Sequence, residues 1–182
     1  MIEKETTKKH WFVMSAVYGQ ELKIKKELEE LQIECFVPMK TSFSKEKGKV
    51  IKTTTPAIKN LIFIHDNKET IQLFKIQHKY LQYQVNRKKE AIIVPEKEMQ
   101  NFIRALNIND KKIVFHDQEI ITLERGESVK IVGGEFDGIE GEFVRLSGKR
   151  NRSFLVKING VIQIELKGVA LKMIERYKHL NE

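Results

Sequence analysis

Few side chains in this 182-residue sequence are of the types that perform catalysis or hold a metal. The five histidines show no ligand spacing with one another, with the single cysteine or with a pair of carboxylates. Cys35 lies at the start of an apolar, strand-like segment, where a buried and unreactive thiol is a better interpretation than a nucleophile. The sequence therefore predicts no catalytic residue, no metal site and no cofactor. The histidines are His10, His65, His78, His116 and His179.

A glycine cluster at residues 133–141 is the one segment that could be mistaken for a phosphate-binding loop. Such a loop leads into the N-terminus of a helix, whereas a strand-like pattern follows here. Glycine also permits positive φ angles and close approach of two backbones. Tight turning within a small barrel therefore explains the cluster better, and the chain is not expected to be an enzyme.

Positive charge is the stronger functional signal. The net charge is +8, and residues 1–115 hold 22 basic against 14 acidic side chains, so the whole surplus lies there. Within this part, residues 40–89 carry 12 basic and 3 acidic groups. Cations on turns can reach phosphate groups without burying their charge, and each neutralised phosphate releases counterions. The alternative is a solvated lysine surface that only aids solubility.

Composition limits the remaining classes of protein. A single cysteine cannot form an internal disulfide bond, and the 41% apolar residues suffice for a packed core. No apolar run approaches the ~20 residues that cross a bilayer. The first ten residues are charged and lack the apolar segment of a signal peptide. We therefore expect a soluble, cytoplasmic protein with no membrane partner.

Periodicity predicts an α+β fold for the first part of the chain. Residues 11–17 and 61–64 are apolar on both alternating faces, which is typical of strands in the middle of a sheet. Residues 20–32 have a helical stripe that includes Leu31, and Asp66 with Glu69 suggests a capping box. A further amphipathic helix follows Pro95. Together these elements predict an antiparallel sheet with helices packed on it.

The last part of the chain predicts a small all-β domain. Apolar and polar residues alternate through several short segments, and Asn159-Gly160 between two of them is a strong hairpin signal. Several short strands in about 50 residues favour a small barrel. The predicted organisation is therefore a domain at 1–106, a polar linker at 107–122 and a barrel domain at 123–182. Residues 113–115 are apolar enough to pack on one of the two domains.

Five segments, taken in order, resemble NusG-type transcription elongation factors, and most closely the specialised antiterminators of the RfaH and UpxY kind. The resemblance spans residues 11–175 and implies an NGN-like N-terminal domain followed by an SH3-like KOW barrel. The segments are the strand and helix at 11–31, the extended segments 35–39, 56–64 and 91–95, and a KOW-like motif at 126–144.

The resemblance also implies partners and site residues. The first domain would bind the clamp coiled coil of RNA polymerase, and its lysines would lie near the non-template strand or the upstream DNA. The implied polymerase-binding residues are Trp11, Ile58, Leu61 and Phe63. The implied nucleic-acid-binding residues are Lys23, Lys45, Lys47, Lys49 and Lys75. The implied KOW residues are Gly133, Phe136, Gly138 and Gly141.

The function implied is suppression of pausing and termination at specific operons by a monomeric protein. Its KOW domain would recruit a ribosomal protein or a termination factor. Lys59 and Leu61 replace the proline and aromatic residue usual in the family's central strand, so the contact there is expected to differ in chemistry. The alternative is a KOW-containing RNA- or ribosome-associated protein without a role in elongation.

Overall fold

A computed structural model of the chain describes residues 8–108, 110–116, 126–146, 150–158 and 161–176. The chain divides into two compact units, 1–96 and 97–182. The predicted Asn159-Gly160 turn lies outside the described residues. The division at residue 96 falls within the domain predicted at 1–106, and the predicted domain boundaries stay a prediction.

The first unit is an antiparallel sheet with helices, as predicted. The sheet has the order β2-β5-β1-β6, and β7 also pairs with β1; β3 and β4 form a separate hairpin. The elements are β1 (His10–Ala16), α1 (Glu21–Glu30), β2 (Glu34–Phe36), β3 (Met39–Glu46), β4 (Lys49–Pro56), β5 (Leu61–Asp66), α2 (Lys68–Gln77), β6 (Leu81–Tyr83) and β7 (Ile93–Val94).

The core of this unit lies between the sheet and helices α1 and α2. Strands β1 and β5 pair with Phe12 opposite Ile64 and Met14 opposite Ile62, so these four side chains share one face. They form a cluster with buried residues of both helices. The helix residues in it are Ile24, Leu28, Ile71 and Phe74.

The end of α1 and the start of α2 differ slightly from the sequence prediction. Helix α1 ends at Glu30, and Leu31 is 60% exposed instead of completing the buried stripe. The α2 cap is Asn67, one residue beyond the predicted Asp66, and its side chain accepts a hydrogen bond from the Thr70 amide at 2.8 Å. Asparagine is as good an N-cap as aspartate, so the helix start moves at little cost.

The hairpin of β3 and β4 is exposed along most of its length on both faces. Glu46 pairs with Lys49, and the two-residue turn between them consists of Lys47 and Gly48 with φ values of 48° and 78°. Two positive φ angles are typical of the turns whose twist matches that of the strands they join. An eight-residue strand spans about 27 Å, which gives the hairpin considerable reach.

The second unit is an all-β sheet preceded by a helix, which confirms the predicted fold class. Its antiparallel sheet has the order β13-β9-β10-β11-β12-β8. Strand β8 lies within the predicted linker, so residues 113–116 belong to the sheet instead of a connecting segment. The elements are α3 (Glu96–Ile108), β8 (Ile113–His116), β9 (Glu127–Ile131), β10 (Glu140–Arg145), β11 (Arg152–Ile158), β12 (Ile162–Leu166) and β13 (Ile174–Arg176).

The side chains of Asn101 and Lys97 attach helix α3 to the start of β10. The Asn101 amide donates to the Glu140 carbonyl at 2.7 Å, and the Glu140 amide donates to the Asn101 carbonyl oxygen at 2.9 Å. Lys97 adds an ion pair with the Glu140 carboxylate at 2.8 Å. The asparagine therefore satisfies both backbone groups of a strand residue in the way a neighbouring strand would.

We expect Asn101→Ala to weaken this attachment, because it leaves a donor and an acceptor of β10 without partners. The loss should be about 1–3 kcal/mol, seen as faster amide hydrogen exchange along β10 in the full chain. Asn107→Ala, at an exposed position of the same helix, is the matched control. Equal exchange in both variants would contradict the prediction.

Candidate nucleic-acid and polymerase-binding surfaces

The pairing of β3 with β4 sorts the hairpin side chains into two faces, because directly opposed residues of antiparallel strands point the same way. The aromatic face carries Thr41, Phe43, Lys45, Val50, Lys52 and Thr54. The polar face carries Lys40, Ser42, Ser44, Glu46, Lys49, Ile51, Thr53 and Thr55. Phe43 and Val50 are 53% and 64% exposed, so the aromatic face offers apolar area beside its two lysines.

Three of the predicted nucleic-acid-binding lysines, Lys45, Lys47 and Lys49, lie at the end of the hairpin and are called the tip lysines below. All three are exposed. Lys45 is on the aromatic face, Lys49 is on the polar face and Lys47 is in the turn. The structure therefore brings them together at one end of the hairpin without placing them on one face.

The other two predicted lysines lie on the helices. Lys23 of α1 is 3.9 Å from the Glu27 carboxylate and lies over the ring of Tyr80, with 5.8 Å to its centroid. Lys75 is half-buried in the last turn of α2, where a cation is favoured by the helix dipole. Lys23 therefore has partners within the first unit.

The predicted polymerase-binding residues are mostly buried. Trp11, Leu61 and Phe63 lie on the sheet face opposite the α1 and α2 cluster, and each is at most 1% exposed. Ile58 lies in the connection between β4 and β5 and is half-buried. Of the four, Ile58 alone has side-chain surface to offer a partner in this structure.

The KOW residues form a tight turn and a close strand approach. Gly138 has a φ of +79°, and its amide donates to the Ile131 carbonyl at 2.8 Å. A Cβ at Gly141 would collide with the Leu155 carbonyl and the Phe154 ring. Gly133 also has positive φ, at +80°. Each glycine thus has the kind of structural role expected of it.

Phe136, the fourth KOW residue, is buried at 4% exposure within the same turn. Its ring supplies the apolar side of the turn and is not available to a partner.

Sequence reasoning missed a groove at the base of the hairpin. It is lined by the turn that follows β1, the first residue of α1, Lys40 of β3, the end of β4 and the β4–β5 connection. Two unusual side chains line it: Tyr18 is 88% exposed and Glu21 is 4% exposed. Tyr18 carried no sequence signal beyond its place before a glycine, and Glu21 looked like an ordinary charge in the first turn of a helix.

The surroundings of Cys35 disfavour its thiolate form. Burial and the nearby Glu29 carboxylate raise the pKa of the Cys35 thiol to about 11. The thiol therefore stays protonated at neutral pH and donates weakly to the Lys25 carbonyl at 3.8 Å. Among the described residues, no group of three or more histidine, cysteine or acidic side chains is arranged to hold a metal.

None of the helices within the described ranges combines the length and apolar character that a membrane crossing requires.

One protein family matches the first part of the chain. The family model described as NusG, transcription termination factor nusG, matches residues 9–103, which is more than half of the chain. The chain belongs to the NusG family of transcription factors, which act in elongation and termination. The narrower resemblance to RfaH and UpxY stays a prediction.

A solved structure of Thermotoga maritima NusG, described as "Domain interaction in Thermotoga maritima NusG", is similar to the chain at 18% sequence identity and a TM-score of 0.47. The similarity covers 94% of this chain and 98% of that chain. No curated protein sequence matches the chain significantly. Family membership therefore rests on the family model.

Because Leu61 is buried, a mutation at this position tests the stability of the fold and not only the contact with a partner. Leu61→Asp would place a charge at a 1% exposed position, so we expect it to lower the free energy of unfolding of the first unit by more than about 4 kcal/mol. Thermal unfolding of the full chain measures this. Leu73→Asp, at a 64% exposed position of α2, should leave the melting temperature nearly unchanged. Similar melting of both variants would show that Leu61 is accessible to solvent.

Proposed function

We propose that this NusG-family protein binds RNA polymerase and suppresses pausing and termination, acting at specific operons in the cytoplasm. The observation that carries the proposal is the family match over residues 9–103. Within that region lies an exposed hairpin bearing five lysines and one glutamate. A factor that holds DNA on the polymerase needs binding surfaces alone, and no catalytic step.

The hairpin is the proposed contact with the non-template strand or the upstream DNA. An isolated two-stranded hairpin is only marginally stable in water, and this one leaves both faces exposed. A polyanion that neutralises its lysines would both bind and order it. The tip lysines, at the far end of about 27 Å of strand, would reach furthest from the sheet.

Polymerase contact is proposed at the β4–β5 connection. Ile58 supplies apolar surface there, while the buried Trp11, Leu61 and Phe63 shape the strands beneath it. The tip of the clamp coiled coil is the partner that the family resemblance implies. Leu61 fills space without offering an aromatic ring, so the contact would depend on shape and apolar area instead of ring stacking.

The second unit is proposed to bind a protein. Residues 97–182 hold 15 basic and 13 acidic side chains, against 18 and 12 in residues 1–96, so most of the electrostatic attraction to nucleic acid lies in the first unit. A ribosomal protein or a termination factor is the partner class that the KOW resemblance implies.

Transcription by purified RNA polymerase tests the proposal directly. Adding the full chain should shorten pauses and increase the fraction of transcripts that pass a terminator, and the protein should co-purify with core polymerase. Unchanged pausing and readthrough with the protein in excess would refute it. Sedimentation with ribosomal subunits after polymerase has been removed would instead support the RNA- or ribosome-associated alternative.

The tip lysines should set the salt dependence of DNA binding. Replacing all three by alanine is expected to reduce the slope of log affinity against log salt by about 0.7–0.9 per lost phosphate contact, measured by fluorescence anisotropy with labelled DNA. The control replaces three exposed lysines of the second unit, Lys111, Lys130 and Lys172, which removes the same charge elsewhere. An equal change in both triple variants would mean that net charge alone matters.

A further inference from the structure

A pocket of about 370 Å³ opens at one end of the second sheet, between the start of β11 and the end of β12. The pairing of these two strands ends at Phe154 and Leu166, so the two backbones separate beyond that pair. Both side chains are buried and form the bottom of the pocket. The volume is near the lower end of the range of about 300–1,000 Å³ that is typical of ligand pockets.

Three cations line this pocket: Arg150, Arg152 and Lys167. Arg152 forms an ion pair with the Glu127 carboxylate at 3.1 Å. Arg150 and Lys167 are exposed, and no acidic side chain in the described part of the chain forms an ion pair with either of them. The pocket therefore offers two positive charges that a ligand can neutralise.

The pocket wall also contains a carboxylate, that of Glu165. This residue is 6% exposed, and its Oε1 atom accepts a hydrogen bond from the Ser153 hydroxyl at 2.8 Å. Glu165 is therefore held by the packing of the sheet, and the charges that the pocket exposes to solvent are positive.

Two further arginines lie at the same end of the sheet. Arg145 is directly opposite Arg152 in the pairing of β10 with β11, and like charges in that arrangement are destabilising. Arg176 lies 2.9 Å from the Glu127 carboxylate, so one carboxylate serves both Arg152 and Arg176. No described acidic group pairs with Arg145. The fold thus leaves an excess of positive charge here, which an anionic ligand would neutralise.

We infer that this pocket and the arginines beside it bind an acidic peptide segment of a protein partner. Carboxylates of the peptide would pair with Arg150 and Lys167, and an apolar residue beside them would contact Val169, which is half-buried in the pocket wall. Arginine suits this ligand because its planar guanidinium group can donate two parallel hydrogen bonds to one carboxylate.

A nucleic acid fits this end of the sheet less well. The second unit holds 15 basic against 13 acidic side chains, so it has little long-range attraction for a polyanion. Recognition of an unpaired strand uses aromatic rings on which bases stack. Among the described lining residues the aromatic ring is that of Phe154, which is 1% exposed. Carboxylates on a peptide match the few exposed cations better.

The pocket is separate from the turn that carries the KOW residues. That turn, at 133–138, joins the end of β9 to the start of β10, whereas the arginines lie where β9 starts and β10 ends. The two surfaces are therefore at opposite ends of the same strands. The inference rests on the proposed function for its setting, since it gives the protein contact proposed for the second unit a chemical class and a place.

Fluorescence anisotropy of a labelled peptide tests the pocket in the full chain. The probe is a peptide of glutamates with two leucines, and the control peptide has glutamine in place of every glutamate. The parent protein and all its variants carry alanine at the three tip lysines, so that these lysines do not bind the probe. At low salt, where screening is weak, we expect the glutamine peptide to bind about tenfold more weakly than the glutamate peptide.

The double substitution Arg150→Ala and Lys167→Ala is the decisive variant. Both positions are exposed, so the fold should be retained while the affinity for the glutamate peptide falls about 2- to 30-fold. The matched control replaces Lys130 and Lys172 by alanine, which removes the same charge from exposed positions of the second unit that do not line the pocket. The control should bind the peptide as the parent does.

Arg145→Gln separates binding from stability. Removing one of two opposed arginines should raise the melting temperature of the second unit by about 1–8 °C and weaken peptide binding by up to about fivefold. An arginine needed only for the fold would lower the melting temperature when replaced and leave the affinity unchanged.

Three results would overturn the inference. Equal affinity for the glutamate and glutamine peptides would show that carboxylates are not recognised. Equal losses in the two double variants would leave net charge as the cause. A labelled oligoribonucleotide that loses more affinity than the peptide does in the Arg150→Ala and Lys167→Ala variant would assign the pocket to RNA phosphates. None of these results alters pausing or readthrough with the wild-type protein, whereas failure of the proposed function would appear in those transcription assays.

Discussion

The antiparallel pairing of β1 with β5 is the constraint on which the first unit depends. Both strands are apolar on both faces, so a register shift of one residue would exchange the side chains that pack on the helices with those on the opposite face. The pairing also brings the residues that follow β1 next to those that precede β5, and both sets line the groove. Ala16 closes β1 by donating to Asn60, and the Asn60 side chain then holds the turn that exposes Tyr18. Strand pairing and site geometry are therefore set by the same register.

The sequence predicts what depends on local pattern. Apolar runs on both faces predicted buried strands at 11–17 and 61–64, and alternation predicted the all-β second unit; both are confirmed. The many lysines and few acidic residues at 44–49 predicted a basic turn between two strands. The lysine side chains stay in water there, since burying unpaired charges costs too much free energy. Each of these properties depends on a segment of a few residues, so it can be predicted from a single sequence.

The rest depends on contacts between distant residues. The apolar run that includes Leu61 and Phe63 predicts a strand. The same run occurs in a strand buried on both faces and in one with an exposed apolar face, so it does not show whether these side chains are accessible. Leu31 continues the stripe of α1 in the sequence, yet the helix stops one residue earlier. In the sequence, Glu21 is an ordinary glutamate in the first turn of a helix. In the structure it is buried, and its Oε2 atom has no hydrogen-bond partner among the described residues. Such facts follow from tertiary packing, which one sequence does not specify.

The lysines of the hairpin limit what the proposed contact with nucleic acid can recognise. Contacts between lysines and phosphates supply affinity and orientation but carry no sequence information. A longer basic hairpin would therefore bind more tightly to every sequence alike. Discrimination requires a desolvated polar atom whose partner is present in one base and missing in another, because the penalty for leaving it unpaired is what excludes the wrong base.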